Sequence, residues 1–175
     1  MKHFDIVLPK RVPDTPSERL QDHYKEGLIL VNGNSRKPRK TQVLTFARYF
    51  KREFDYDFVQ FSETEKGLDF EAWLFFQHHI HVMEWEKPVG ACCFRKRQHE
   101  DGLKEHWALS WIWIHPYYRG KGILKEYFPF FRKRYGEFHP EPPLSRTMIS
   151  FIEKHYPDAK GQYSPDYRRS VQKPS

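Results

Sequence analysis

The chain has 175 residues, with 30 lysines and arginines against 23 aspartates and glutamates, a formal net charge of +7. That length suits one domain with a real core. No run approaches the ~20 apolar residues of a transmembrane helix, and the charge favours anionic partners without naming one. The opening "MKHFDIVLPKRVPD" has too short an apolar run for a signal peptide. Cys92 and Cys93 are adjacent. On a strand they point to opposite faces, so they share neither a metal nor an ordinary disulfide. They read as two small buried residues in a reducing cytoplasm.

In chain order, "TPSERLQDHYKEG" predicts a helix with Thr15 as N-cap, Pro16 at the first position, Glu18 completing a capping box and Gly27 as the stop. Leu28–Val31 fits a short strand or the packing end of that helix. "NGNSRKPRK" reads as a turn-rich basic loop. "TQVLTFARYFKREF" follows, with Val43, Phe46, Ala47, Phe50 and Phe54 at helical spacing.

From about Asp69 the period changes. "HIHVMEWEKPVGACCFRKR" predicts two strands joined around Glu86-Lys87-Pro88. "HWALSWIWIHP" is apolar on both faces: strict alternation puts Trp107, Leu109, Trp111 and Trp113 on one, and Ala108, Ser110, Ile112 and Ile114 on the other. A strand buried on both sides is a central strand covered by helices. "GILKEYFPFFRKRY" has helical spacing with an expected kink at Pro129, and "PLSRTMISFIEKH" repeats that spacing. The sequence therefore predicts a mixed α/β domain over residues 1–160, and a polar tail over 161–175.

Chemistry concentrates in "IWIHPYYRGKGILKEYF", Ile112 to Phe128. The first backbone N–H groups of a helix lack internal partners, and its dipole adds positive charge there. Gly120 and Gly122 remove side chains that would keep an anion away, while Arg119 and Lys121 add charge. The segment is neither a Walker A loop nor a dinucleotide fingerprint. By itself it also suits a plain strand-to-helix connection. His78, His79, His81 and His99 lack a third metal ligand at a recognisable spacing, so no metal is expected. "SRKPRK" reads as a solvated loop before it reads as a nucleic-acid contact.

In its context, "IWIHPYYRGKGIL" resembles the acetyl-CoA segment of the GNAT superfamily of N-acyltransferases, and "VMEWEKPVGACCF" resembles the hairpin before it. The resemblance spans about residues 80–135 and implies a GNAT-like mixed central sheet flanked by helices in a single domain. It implies acetyl-CoA as cosubstrate and an amine acceptor: a small molecule, a protein or an aminoacyl-tRNA. Backbone groups of Ile112, Trp113 and Ile114 would hold the pantetheine arm. Arg119, Gly120, Lys121, Gly122, Ile123 and Leu124 would hold the pyrophosphate. Leu124 stands where the motif has glycine or alanine, and Ile152 aligns with a tyrosine that often serves as general acid. Tyr156 is then a displaced acid or a helix-end aromatic, Glu105 a base or a solvated carboxylate, and Ser145 the next candidate near the thiol. Two rivals stand beside this reading: a non-catalytic acyl-CoA-binding protein of the same fold, and a basic nucleic-acid module, which the core-like spacing of the aromatics disfavours. Any nucleic-acid binding is expected to be weak, no membrane association is expected, and a homodimer is left open.

Overall fold

The computed structural model describes residues 5–19, 26–76, 87–98, 105–142 and 144–157. The elements are α1 (Pro16–Arg19), β1 (Leu28–Val31), α2 (Lys37–Phe54), β2 (Phe70–Phe75), β3 (Gly90–Gln98), β4 (Glu105–Ile114), α3 (Ile123–Tyr135), β5 (His139–Pro140) and α4 (Arg146–His155), with a 3₁₀ turn at Pro116–Tyr118. The strands form one sheet in the order β1-β2-β3-β4-β5. The first four are antiparallel neighbours, and β5 runs parallel to β4. This is the GNAT-like mixed sheet flanked by helices.

Apolar side chains fill both faces of the sheet. On one, Phe75, Cys92, Phe94 and Leu109 pack with Tyr127, Phe128 and Phe131 of α3 and Met148 and Ile152 of α4. On the other, Leu74, Ala91, Cys93, Trp111 and Trp113 pack with Val43, Phe46, Ala47 and Phe50 of α2. Cys92 and Cys93 thus enter opposite faces as free thiols. Burial pushes the Cys92 thiol well up and that of Cys93 to about 12.

Several local expectations change. The Thr15–Glu18 capping box forms, with Thr15 N donating to Glu18 Oε2 at 2.8 Å and Glu18 N to Thr15 Oγ1 at 3.3 Å. Leu28–Val31 is a strand, paired with β2. α2 begins at Lys37, inside the expected basic loop, because Pro38 suits a helix's first turn. Arg39 there is fully buried, its Nη2 2.5 Å from Asp14 and its Nε 3.1 Å from Glu18. Lys40 Nζ donates to the carbonyls of Gly33 and Glu65. These charges fold inward instead of facing a polyanion. The partner of β3 is Phe70–Phe75, earlier than the expected hairpin strand; residues 77–86 lie outside the described set, as do His78, His79, His81, His99 and the tail. α3 runs as one helical segment through Pro129.

The largest correction concerns β4. Cys93 pairs with Trp111 but Phe94 pairs with Leu109, so Ser110 is an extra residue on β4. Such a bulge reverses the side-chain alternation. Trp107 and Leu109 therefore share the α3/α4 face with Ile112 and Ile114, while Trp111 and Trp113 face α2.

A polar bolt crosses the α3 face. Tyr135 hydroxyl donates to Glu71 and accepts from Trp73 Nε1 at 2.7 Å, while Arg134 grips the same carboxylate with two 2.7 Å bonds. Burial and the Glu71 charge push the phenol far up, keeping it a donor. Tyr135→Phe strands a buried indole N–H and is expected to cost about 1–3 kcal/mol. Urea unfolding with an unchanged m-value checks this.

Candidate active site

β5 pairs with β4 only at Ala108 and Leu109, extended by Glu141 N donating to Leu109 O at 2.9 Å. Beyond the bulge the two strands part. His115 N donates to Val89 O at 2.9 Å, which makes that pair a hydrogen-bonded one. Antiparallel pairs alternate, so Trp113 and Trp111 turn their backbone groups to β3, and those of Ile112 and Ile114 point to the open edge. Ile114 O already accepts from Arg119 Nε at 2.7 Å. The free edge therefore consists of Ile112 and the Ile114 N–H. Trp113, grouped with them from sequence, also borders the cleft but turns its backbone groups to β3.

That edge borders a cleft of about 410 Å³ between the ends of β4 and α2 and the starts of α3 and α4. The size falls within the roughly 300–1,000 Å³ of small-molecule sites. Gly120 and Gly122 adopt φ of +74° and +87°, a region that L side chains rarely adopt. An added Cβ at either would meet no atom within 4 Å, so the backbone is open on that side. Gly122 caps α3 without a side chain, leaving the first N–H groups of a 13-residue helix directed at the cleft's end.

Of the sequence candidates, Ile112, Trp113, Ile114, Arg119, Gly120, Gly122, Ile123, Leu124 and Ser145 line this cleft. Lys121 does not; its Nζ lies 3.5 Å from the Tyr117 ring centroid. Lys125, one helical turn further on, takes the place at the wall. Glu105 sits at the exposed start of β4, 3.9 Å from Lys96 Nζ, and is not among the lining residues. Tyr156 is also absent from the lining. It caps the far end of α4 and packs on Phe128 at 4.6 Å. Burial raises its phenol against the opposing pull of Arg132. Ser145 caps the near end, its Oγ accepting from Met148 N at 3.1 Å. Eleven positions at 1.5 Å each put Ser145 and Tyr156 about 16 Å apart along the helix.

Glu53 escaped the sequence reading altogether. On the last turn of α2, it accepts from Arg119 Nη1 and Nη2 and from Trp113 Nε1, each at 2.7 Å. Burial alone would raise its carboxyl, but the bonds and charge of Arg119, aided by Trp113, hold it below the usual range. Arg119 is therefore a strut between α2 and the glycine turn, already neutralised, rather than a free phosphate ligand. Its one sequence signal was a lone acid among the basic residues at a helix end. His115 is held below its ordinary value by burial and by Arg119, and its Nδ1 accepts from Tyr117 N at 3.2 Å.

The chain matches the family model described as "Acetyltransferase (GNAT) family" over residues 45–127. That stretch of the chain, which holds β2 to β4 and the start of α3, is similar to this family. The match supports an acetyl-CoA-dependent N-acetyltransferase. Among solved structures, a soil-metagenome aminoglycoside acetyltransferase, meta-AAC0020, crystallised with trehalose, is 14% identical, with 78% of this chain and 91% of that one covered at a TM-score of 0.53. The xEco2 acetyltransferase domain is 14% identical, with 73% and 83% covered at a TM-score of 0.50. At these identities the likeness concerns the fold. No curated protein matches the chain by sequence. Among the described residues no helix is long and apolar enough to cross a membrane.

Because the Glu53 carboxyl lies below 4.5 when folded, its stabilisation is fully present above that value and fades as pH falls through the folded pKa. Glu53→Gln is expected to cost about 1–3 kcal/mol at neutral pH. The gap to the parent should narrow as melting is followed downward from pH 4.5.

Proposed function

We propose that this GNAT domain, spanning residues 1–160, transfers the acetyl group of acetyl-CoA to an amine in the cytoplasm. The observation that carries the reading is the continuity of three features along one cleft: an open strand edge at Ile112 and Ile114, a side-chain-free helix start at Gly120–Gly122, and the Ser145 hydroxyl. In this reading the free edge pairs with the amide groups of a pantetheine arm, as an added strand would. The N–H groups behind Gly122 and the Lys125 ammonium receive the pyrophosphate. Leu124 lies on the same wall and replaces a small residue with apolar contact.

Acetyl-CoA supplies an activated acyl carbon. The chain's residues orient it, keep water from it and manage protons. An attacking amine loses one proton and the departing thiolate takes one. Ser145 is the hydroxyl that borders both the cleft and the neighbouring slot beside β5, which supports assigning it to the thioester end. Tyr156 and Glu105 line neither cavity. The acid role therefore falls to Ser145 or to water, and Ile152, buried in the core, takes no part. A non-catalytic acyl-CoA binder would share the cleft but release no thiol.

Two experiments test this. Acetyl-CoA is expected to raise the melting temperature of the parent, and Gly122→Asp to abolish the shift by placing a negative side chain in the open cradle. No shift at millimolar acetyl-CoA ends the proposal. Ser145→Asn preserves an N-cap but removes the hydroxyl. It should lower thiol release by roughly 10²-fold, the lower end of a positioned acid's contribution, and leave the acetyl-CoA shift intact, whereas Tyr156→Phe should change neither.

A further inference from the structure

Next to the main cleft, a second cavity of about 30 Å³ opens between the β4 bulge, β5 and the start of α4. It shares Phe54, Ile112, Ser145 and Met148 with the main cleft, so the two adjoin beside Ser145. Its remaining walls are mostly apolar, with Phe50, Leu109 and Leu144 among them.

Two polar features break those walls. Glu141 lines the cavity just past β5, with Arg97 Nε 2.6 Å from Oε1 and Nη2 3.0 Å from Oε2. Arg97 Nη2 also donates to the buried Ser110 Oγ at 3.3 Å. Burial would raise the Glu141 carboxyl, but hydrogen bonds from Arg97 and Ser110 outweigh it and hold the group ionised. Each carboxylate oxygen has more than one lone pair, so capacity remains for a further donor. The Glu141 field also extends to Tyr56, whose phenol burial and this charge push up to about 12. The second feature is Trp111. It is 2% exposed and lines the same cavity, yet its Nε1–H finds no acceptor among the described residues. A buried donor without a partner is uncommon in a finished core.

Resting on the acyltransferase reading, we propose that this slot receives the acceptor as an unbranched aminomethyl group, –CH₂–NH₂, with Glu141 accepting from its nitrogen. The volume carries the chemical class. At roughly 10–15 Å³ per water-sized group, about 30 Å³ holds about two to three such groups. A nitrogen and one methylene fit. A carbon bearing two substituents beside the nitrogen, as in an amino acid's α-amine, brings the whole to about four groups and does not. The apolar walls suit the methylene, and the Glu141 carboxylate gives the nitrogen an acceptor. Glu141, held ionised, is a binding and orienting group rather than the proton acceptor. Aminomethyl ends occur both on free diamines and on lysine side chains, and the slot chemistry is shared by the two.

The test compares kcat/KM with 1,4-diaminobutane, an Nα-acetylated lysyl peptide, isopropylamine and alanine amide, on protein for which acetyl-CoA raises the melting temperature. Turnover of the first or second at least roughly tenfold above the branched amines is expected, the scale of about 1.4 kcal/mol of discrimination. Preference between those two identifies the source. Glu141→Gln should raise KM for the preferred amine about 10–100-fold, as loss of a charged hydrogen bond does, with KM for acetyl-CoA unchanged. Leu144→Ala, which touches the slot and not the main cleft, should narrow the gap between straight and branched amines. With the acetyl-CoA shift present, equal turnover of branched and unbranched amines overturns the slot proposal alone. A missing shift overturns the acyltransferase reading and the slot with it.

Discussion

Between Leu109 and Trp111, β4 carries one residue that β3 does not match, and the site depends on how the sheet absorbs it. The bulged strand turns its following residues over. Ile112 and Ile114 come to the α3/α4 face, and Trp111 and Trp113 to the α2 face. β5 stops pairing at the level of the bulge. From there the sheet has an open edge in its middle, bordered by the helices that would normally seal a core. Were β4 to keep strict alternation through Ser110 instead of bulging, Trp111 and Trp113 would share the face of Leu109 and point toward α3 and α4.

The second constraint is the strut at Glu53. An opened sheet edge needs support, because the glycine turn beyond it has no side-chain cap and two residues at positive φ. Arg119 ties that turn back to Ile114 O and across to Glu53, which also fixes the Trp113 indole. One carboxylate thus joins α2, β4 and the turn. Each Arg119 contact is short and partly shielded, so it retains more of its Coulomb energy than an exposed pair would. The same logic recurs at Arg39 with Asp14 and Glu18, and at Arg134 with Glu71. In each case an arginine fork fits a carboxylate at a junction of elements.

How much of this was legible in the sequence follows from the range of each signal. The capping box at Thr15–Glu18, the apolar stripe of α2 and the glycines before α3 are local, and local chemistry determines them. The double burial of β4 was legible because its apolar run admits no solvated face. The bulge was not, since a single Ser110 between tryptophans fits the alternation equally well. Glu53 and Glu141 were not legible either. Each acts through a partner far along the chain, 66 residues away for Arg119 and 44 for Arg97. Nothing near either residue in the sequence indicates the pairing. Lys121 misled for a related reason: its position in the motif said nothing of the Tyr117 ring that holds it.

The +7 charge is an excess that internal pairing does not remove, but pairing decides which cations are engaged within the fold. A basic chain suggests a surface for polyanions, yet Arg39, Arg95, Arg97, Arg119 and Arg134 all have carboxylate partners within the fold. Lys40 is turned onto backbone carbonyls. At the cleft, the start of α3 is a different kind of feature, its N–H groups left open because Gly120 and Gly122 carry no side chains. Such a site recognises a phosphate by position and geometry, whereas a diffuse cationic surface recognises charge alone and weakens steeply with salt. These five arginines act on the protein itself, and among them Arg119 holds the glycine turn to Ile114 O and to Glu53.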